Sequence, residues 1–209
     1  MASRPVNYPD ATRMFVAMPD VRAVLCVTPK AGSTSIIAAL FSHYGIEHVP
    51  PYHLNPALAT MKRAEVYRHV PTWKRAIFVR NPYARLVANY NYHIKETNLQ
   101  NCANMRKLGF RVVMSFEQFL GLVVKNTEAD PHFAQQCWQL DDVGFVGKVE
   151  TMADDWRRFG EFIGADLPSL PRRNQAKLRV NYRMFYNKAW RERIAEAYRH
   201  DLDAYGYAF

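Results

Sequence analysis

Cysteine, glycine and long apolar runs are all scarce in this chain of 209 residues, which has 3 cysteines and 9 glycines. The cysteines Cys26, Cys102 and Cys137 are odd in number and widely spaced, so they fit neither a disulfide framework nor a zinc site with paired ligands. No apolar stretch approaches the ~20 residues of a membrane-spanning helix. The apolar run of residues 24–27 is too short for a secretory signal, so we expect a cytoplasmic protein without a membrane span.

Acidic residues are few relative to basic ones. The chain has 28 Lys and Arg against 19 Asp and Glu, which gives a formal net charge of +9. This charge attracts nucleotides, acidic polysaccharides, nucleic acids and anionic lipids, and does not select among them. Hydrophobic residues make up 49% of the chain, enough for one apolar core. We therefore predict a single domain over residues 1–209.

Two strand–turn–helix units can be read from the apolar pattern. Residues 23–27 form a continuous apolar run, typical of a strand buried on both faces, and residues 34–44 follow a helical period. Residues 75–79 and 83–92 repeat this arrangement. The repetition predicts an α/β fold, a three-layer sandwich with a mostly parallel central sheet flanked by helices. Residues 1–20 contain three prolines and no sustained period, which predicts an irregular lead-in.

The turn after the first predicted strand has the residues of an anion cradle. Gly32 lets the backbone approach a ligand, Lys30 adds a positive charge, and the following helix N-terminus presents N–H groups. Since the lysine precedes the glycine, this is not a Walker A loop, and an ordinary polar turn is the alternative. The predicted phosphate or sulfate cradle comprises Pro29, Lys30, Ala31, Gly32, Ser33, Thr34 and Ser35.

A second polar turn follows the second predicted strand. Arg80 stands at the strand end, Asn81 and Pro82 begin the next helix, and Arg85 lies in its first turns. A guanidinium beside a helix N-terminus suits a phosphate group, because its N–H donors match two phosphate oxygens. The alternative for both arginines is ordinary surface charge.

Together the two turns resemble the nucleotide-binding segments of the cytosolic and Golgi sulfotransferases. Residues 29–34 match the Pro-Lys-x-Gly-Ser/Thr-Thr segment of that family, and residues 79–87 match its Val-Arg-Asp/Asn-Pro-x-x-Arg-Leu-Val element. The resemblance implies a P-loop-like fold and 3′-phosphoadenosine 5′-phosphosulfate (PAPS) as donor co-substrate, with no metal required. It also implies that Arg80 contacts the 3′-phosphate of the donor.

Similarity to the carbohydrate sulfotransferase branch extends through the second half of the chain. Residues 130–133 resemble its Asp-x-His-Trp, and residues 147–151 with Asp154 or Asp155 resemble its Gly-Lys-x-Glu-x segment. The resemblance implies a hydroxylated acceptor, a carbohydrate. Arg173 lies in a basic loop that resembles the Pro-x-x-Asn segment; we expect this loop to close over the nucleotide, with an acidic acceptor or solvated surface as alternatives.

One position departs from the family pattern. The serine that usually stands eight residues after the 3′-phosphate arginine is Ala88 here. A hydroxyl contact worth ~1–2 kcal/mol is therefore missing, or is replaced by Asn89 or a backbone donor.

The acceptor hydroxyl has to lose a proton, and a histidine suits this role at neutral pH. His53 stands 27 positions before Arg80, about where the carbohydrate branch places its catalytic histidine, so we expect it to be the base, with His69 as second choice. His93 and His132 fit acceptor-site or structural roles. We expect Lys30 to act catalytically as well, by stabilising the leaving 5′-phosphate.

Three other functions compete with sulfuryl transfer. A kinase or nucleotide hydrolase that uses ATP and magnesium requires a Walker A motif, which the chain lacks. A nucleic-acid-binding protein fits the basic charge, but no recognised binding motif is present, so we expect no nucleic-acid partner. The third is a sulfotransferase-like protein that binds nucleotide without turnover, which the substitution at Ala88 suggests.

Overall fold

The computed structural model describes residues 14–47, 58–96, 98–171 and 181–209. These residues form two compact units, each with its own apolar core. The single domain expected from the chain length stays a prediction. The sheet unit comprises residues 14–47, 58–80 and 139–171, and the helical unit comprises residues 81–96, 98–138 and 181–209.

The sheet unit is built on five strands among the described residues, in the spatial order β3-β1-β2-β4-β5. Strands β2, β4 and β5 pair in parallel, and β1 runs antiparallel to both β2 and β3. Four of the five strands therefore point the same way, which confirms a mostly parallel sheet in an α/β fold; the three-layer, P-loop-like sandwich stays a prediction. The strands are β1 Phe15–Met18, β2 Ala23–Cys26, β3 Thr60–Met61, β4 Lys74–Val79 and β5 Phe145–Lys148.

The prediction of an irregular lead-in over residues 1–20 is wrong for its described end. Phe15–Met18 is a strand whose four residues are all buried, and it pairs with Ala23–Cys26 so that Phe15 faces Cys26. A strand buried on both faces shows a continuous apolar run without alternation, and residues 14–18 have that pattern. The three prolines within residues 1–20 are typical of loop structure, so they obscure this short strand pattern.

The described helices belong to both units. Helices α1, α2 and α6 lie in the sheet unit, and the others lie in the helical unit, where a π-helical turn, Asn91–Lys95, extends α3. None of the helices in the described part of the chain is long and apolar enough to cross a membrane. The helices are α1 Ser33–His43, α2 Arg63–His69, α3 Pro82–Tyr90, α4 Ala103–Lys107, α5 Phe116–Lys125, α6 Met152–Ile163, α7 Lys188–Ala197 and α8 Arg199–Tyr205.

Phe78 lies at the centre of an aromatic cluster in the sheet unit. Its ring is fully buried, 5.9 Å from the ring centres of both Trp156 and Phe159. On the neighbouring strand Gly147 is its register partner. A Cβ atom at residue 147 would lie 2.6 Å from Cδ1 and 2.8 Å from Cζ of the Phe78 ring. Glycine therefore occupies this strand position because the aromatic ring takes the space of a side chain.

Substitution Gly147→Ala should destabilise the protein by about 1–3 kcal/mol, since the added methyl group forces the Phe78 ring out of its packed position. The free energy of unfolding in urea measures the effect. Gly121→Ala is the matched control: it lies inside α5, and its added Cβ meets Trp190 at an ordinary 3.8 Å. That variant should be neutral or more stable by about 0.5–1 kcal/mol. Equal behaviour of the two variants would contradict the packing argument.

Candidate functional site

Buried polar contacts anchor the start of the turn that joins β2 to α1. Thr28 is fully buried, and its hydroxyl donates to Oε1 of Gln139 at 2.8 Å. The thiol of Cys26 contacts the same oxygen at 3.4 Å. Within the turn, the amide of Ala31 donates to the carbonyl of Thr28 at 3.1 Å. The first residues of the predicted cradle are therefore fixed to the interior of the sheet unit.

Two residues of this turn adopt the left-handed backbone region. Gly32 has a φ of 78° and is the N-cap of α1, and a Cβ added to it would lie 2.8 Å from Cε of Met152. Lys30 has a φ of 63°, which costs a residue with a side chain about 1–3 kcal/mol. Strain of this kind concentrates where a ligand-binding backbone must keep one shape. Gly32 is therefore required by its conformation, and Lys30 tolerates a conformation that most residues avoid.

Helix α1 begins at this turn, so its positive end faces the predicted cradle. The amides of Ser35 and Ile36 both donate to the carbonyl of Gly32, at 3.0 Å and 3.1 Å. Ser33, Thr34 and Ser35 are half-buried, whereas the apolar face that follows is buried in the core. A helix of 11 residues presents N–H groups and a partial positive charge at its first turn, which attract an anion.

Arg80 meets this turn from the neighbouring strand. Strands β2 and β4 are parallel and adjacent, with Cys26 paired to Ile77, so both carboxyl ends lie at one edge of the sheet. Arg80 follows β4 and is half-buried; its Nη1 donates to the carbonyl oxygen of Lys30 at 3.3 Å. The structure thus brings together the two turns that the sequence identified separately, with Lys30 and Arg80 in direct contact.

Arg85 occupies a different environment from the one expected. It is fully buried in the helical unit, where Nη1 donates to the carbonyl of Ala134 and Nη2 to the carbonyl of Pro131, both at 2.7 Å. Buried arginines require such partners, because an unpaired charge in a protein interior is costly. The guanidinium is committed to the backbone of residues 131–134, so the expectation that Arg85 contacts a donor loses its support.

Asn89 does not replace the donor contact that a serine hydroxyl at position 88 would make. Ala88 is half-buried on α3, whereas Asn89 is fully buried and its amide nitrogen donates to the carbonyl of His132 at 2.9 Å. Like Arg85, it fixes the segment around His132. Two other predicted site residues, His53 and Arg173, lie outside the described residues, and their roles stay predictions.

Asp130 and His132 form a hydrogen-bonded pair. The sequence alone showed only that their segment resembles one of the family. The Oδ1 of Asp130 accepts from Nδ1 of His132 at 2.7 Å and from its backbone amide at 2.9 Å, and Oδ2 accepts from Asn104 at 2.7 Å. Burial alone would raise the pKa of Asp130, but the contacts with His132 and Asn104 outweigh it and lower the pKa. Because a carboxylate only accepts, Nδ1 is the protonated nitrogen and Nε2 is the basic one.

Asp154 and Asp155, the two acidic residues of the family-like segment, differ in their contacts with the chain that follows β5. Asp155 is buried; its Oδ2 accepts from the amide of Lys148 at 2.9 Å and from the hydroxyl of Thr151 at 2.6 Å, while Arg158 contacts Oδ1. Burial acts to raise its pKa, but these hydrogen bonds and the charge of Arg158 hold the pKa below the ordinary value. Asp154 is exposed. Asp155 is therefore the residue that fixes the chain after β5.

Substitution Asp155→Asn should destabilise the protein by about 2 kcal/mol at neutral pH, because charge-assisted hydrogen bonds to Lys148 and Thr151 are lost. Since the folded-state pKa of Asp155 is lowered, the advantage of the wild type is fully present above the ordinary pKa of about 4. It should disappear as the pH falls through the folded-state pKa. Urea unfolding at several pH values measures this difference, with Asp154→Asn as the control that should resemble the wild type throughout.

Comparison with known proteins finds one family whose model covers both of the predicted anion-binding turns. A protein-family model described as "Sulfotransferase family" matches residues 13–208, which include both turns and the segments around Asp130 and Asp155. Searches of curated proteins and of solved structures gave no significant match.

Proposed function

The chain belongs to the sulfotransferase family, and we propose that it transfers a sulfuryl group from PAPS to a hydroxyl group of a carbohydrate. The observation that carries the proposal is the hydrogen bond from Arg80 to the carbonyl of Lys30. It joins two cationic turns at one sheet edge, as a donor with phosphates at both its 3′ and 5′ positions requires. The alternatives of a kinase and a nucleic-acid-binding protein gain no specific support from these contacts.

The residues of the turn fit the phosphosulfate end of this donor. Gly32 adopts its left-handed conformation without the strain that a side chain would add, and the first turn of α1 adds N–H groups and hydroxyls. Lys30 supplies the charge that faces the 5′-phosphate. We assign the 3′-phosphate to Arg80, and Arg173 is a further donor-binding residue inferred from the sequence. Arg85 is left out of this site because it is fully buried.

The proposed chemistry is in-line transfer. The bound donor supplies the sulfuryl group, whose bond to the 5′-phosphate oxygen breaks as the acceptor oxygen bonds to sulfur. Lys30 and the backbone amides neutralise the charge that develops on the leaving phosphate. His53 takes the acceptor proton. A sulfuryl group carries less negative charge than a phosphoryl group, so these cations and dipoles suffice without a metal in this proposal.

The acceptor class rests on the resemblance of residues 130–133, 147–151 and 170–174 to the carbohydrate branch. The basic character of the chain, with its net charge of +9, suits an acidic glycan. His132 is a second candidate for contact with the acceptor, since Asp130 fixes its ring and 27% of its side chain is exposed.

Calorimetric titration with 3′-phosphoadenosine 5′-phosphate, the desulfated donor product, tests the donor site. The wild type should bind it and should not prefer ATP with magnesium. Lys30→Ala and Arg80→Ala should each weaken binding by about tenfold to a hundredfold, which corresponds to a charge-assisted contact of about 1.5–3 kcal/mol. Arg157→Ala is the matched control, because Arg157 is an exposed arginine of the same unit whose partner is Glu161.

The proposal is wrong if the wild type fails to bind the desulfated product, or binds ATP with magnesium more tightly. Equal losses in all three variants would instead indicate that only the net charge of the chain matters.

His53→Ala should abolish most sulfuryl transfer while keeping the affinity for the desulfated product, because a base acts on the acceptor and not on the donor. Transfer of labelled sulfate from PAPS to a panel of desulfated glycans measures turnover. His69→Ala serves as the comparison and should keep its activity. His132→Asn retains a hydrogen-bond donor to Asp130 but lacks the basic nitrogen. Full activity of His53→Ala together with loss of activity in His132→Asn would transfer the role of base to His132.

A further inference from the structure

A short loop between α4 and α5 presents two valines to solvent. Val113 is 90% exposed and Val112 is 46% exposed, which makes them two of the four large apolar residues that are exposed in the described part of the chain. Arg111 precedes them and is also exposed. Single exposed apolar residues are common on protein surfaces, whereas two adjacent ones at the tip of a loop form a small apolar patch that is available for contact.

The loop is anchored on both sides of the valines. Phe110 is 2% exposed, and its ring stacks on Phe133 with the ring centres 4.9 Å apart. On the other side, the carbonyl of Met114 accepts a hydrogen bond from the hydroxyl of Tyr90 at 2.9 Å. Ser115 then caps α5. The chain between these anchors is three residues long, so residues 111–113 have little freedom to fold their apolar side chains inward.

Basic side chains surround the valines. Arg111, Val113 and Lys125 line one groove along α5, and Arg106 and Lys107 end α4, which leads into the loop. All four cations are exposed, and none of them forms an ion pair with another described residue. Between residues 99 and 125 the only acidic residue is Glu117, which accepts a hydrogen bond from Asn187. Around this apolar tip the four cations outnumber the nearest acidic residues in the sequence, Glu117 and the exposed Glu128.

We propose that this valine surface, consisting of Arg106, Lys107, Arg111, Val112, Val113 and Lys125, docks onto a lipid bilayer with anionic headgroups. The cations contact the headgroups, each contributing about 1 kcal/mol near an anionic leaflet. The valines enter the boundary between headgroups and acyl chains, where apolar side chains are favoured. An acidic glycan would satisfy the cations but would leave the aliphatic tip in contact with hydroxyl groups and water. The exposed valines therefore favour a lipid bilayer over an acidic glycan as the binding partner.

This docking is peripheral. The valine surface lies wholly within the helical unit, whereas the turns that carry Lys30 and Arg80 lie in the sheet unit. Membrane docking through this surface does not depend on sulfuryl transfer.

Co-sedimentation with vesicles tests the docking. The wild type should bind vesicles of equal parts phosphatidylcholine and phosphatidylserine, and should bind pure phosphatidylcholine vesicles much less. The double substitution Val112→Ser with Val113→Ser should lower the partition coefficient by about tenfold, from the apolar area removed. Arg111→Gln should lower it by about fivefold, which is the loss of one cation near the surface.

Matched controls come from the same unit. Met184 is another exposed apolar residue, 82% accessible, and Lys188 is an exposed cation of α7. Met184→Ser and Lys188→Gln should keep wild-type partitioning.

Failure to bind the anionic vesicles above the level of phosphatidylcholine overturns the proposal. So does binding that the valine substitutions leave unchanged while soluble heparin competes for it, since this would identify a site for acidic polymers. A concentration-dependent dimer in light scattering that the valine substitutions dissociate would assign the surface to a second copy of the chain instead.

Discussion

The parallel pairing of β2 with β4 determines where the turn with Lys30 lies relative to the side chain of Arg80. With Cys26 opposite Ile77, the chain leaves both strands at the same edge and at nearly the same height. The turn with Lys30 and the side chain of Arg80 then meet without any further adjustment. Both strands are continuous apolar runs, so they can be buried on both faces in the centre of the sheet.

Arg80 and Arg85 have different roles because they occupy different environments. They are five residues apart, yet Arg80 is half-buried at a strand end and Arg85 is fully buried on α3. Arg85 and Asn89 donate to the carbonyls of a segment that contains His132. Within residues 79–87, Arg80 is thus a candidate ligand contact. Arg85 instead fixes the backbone of the segment that contains His132.

Sequence patterns of neighbouring residues predicted helices whose formation depends on their own periodicity and capping. The apolar period of α1 and the capping residue Asn81 of α3 follow from neighbouring residues, and the structure has both. The buried strand Phe15–Met18 was missed because its pattern resembles a proline-flanked loop. The pairing of Thr28 with Gln139 could not be predicted, since the two residues are 111 positions apart and neither belongs to a motif. The fit of Gly147 to the Phe78 ring likewise appears only when the strands are adjacent.

Contacts within the protein support the shape of the turn that we propose to bind the donor. A left-handed Lys30 is costly in isolation, by about 1–3 kcal/mol. Arg80 holds its carbonyl, Ala31 closes the turn onto Thr28, and Gln139 holds the hydroxyl of Thr28 from the interior. Each contact offsets part of the strain before any anion binds. A donor would then meet dipoles that need no reorganisation, which is the condition under which fixed charges contribute most to a transition state.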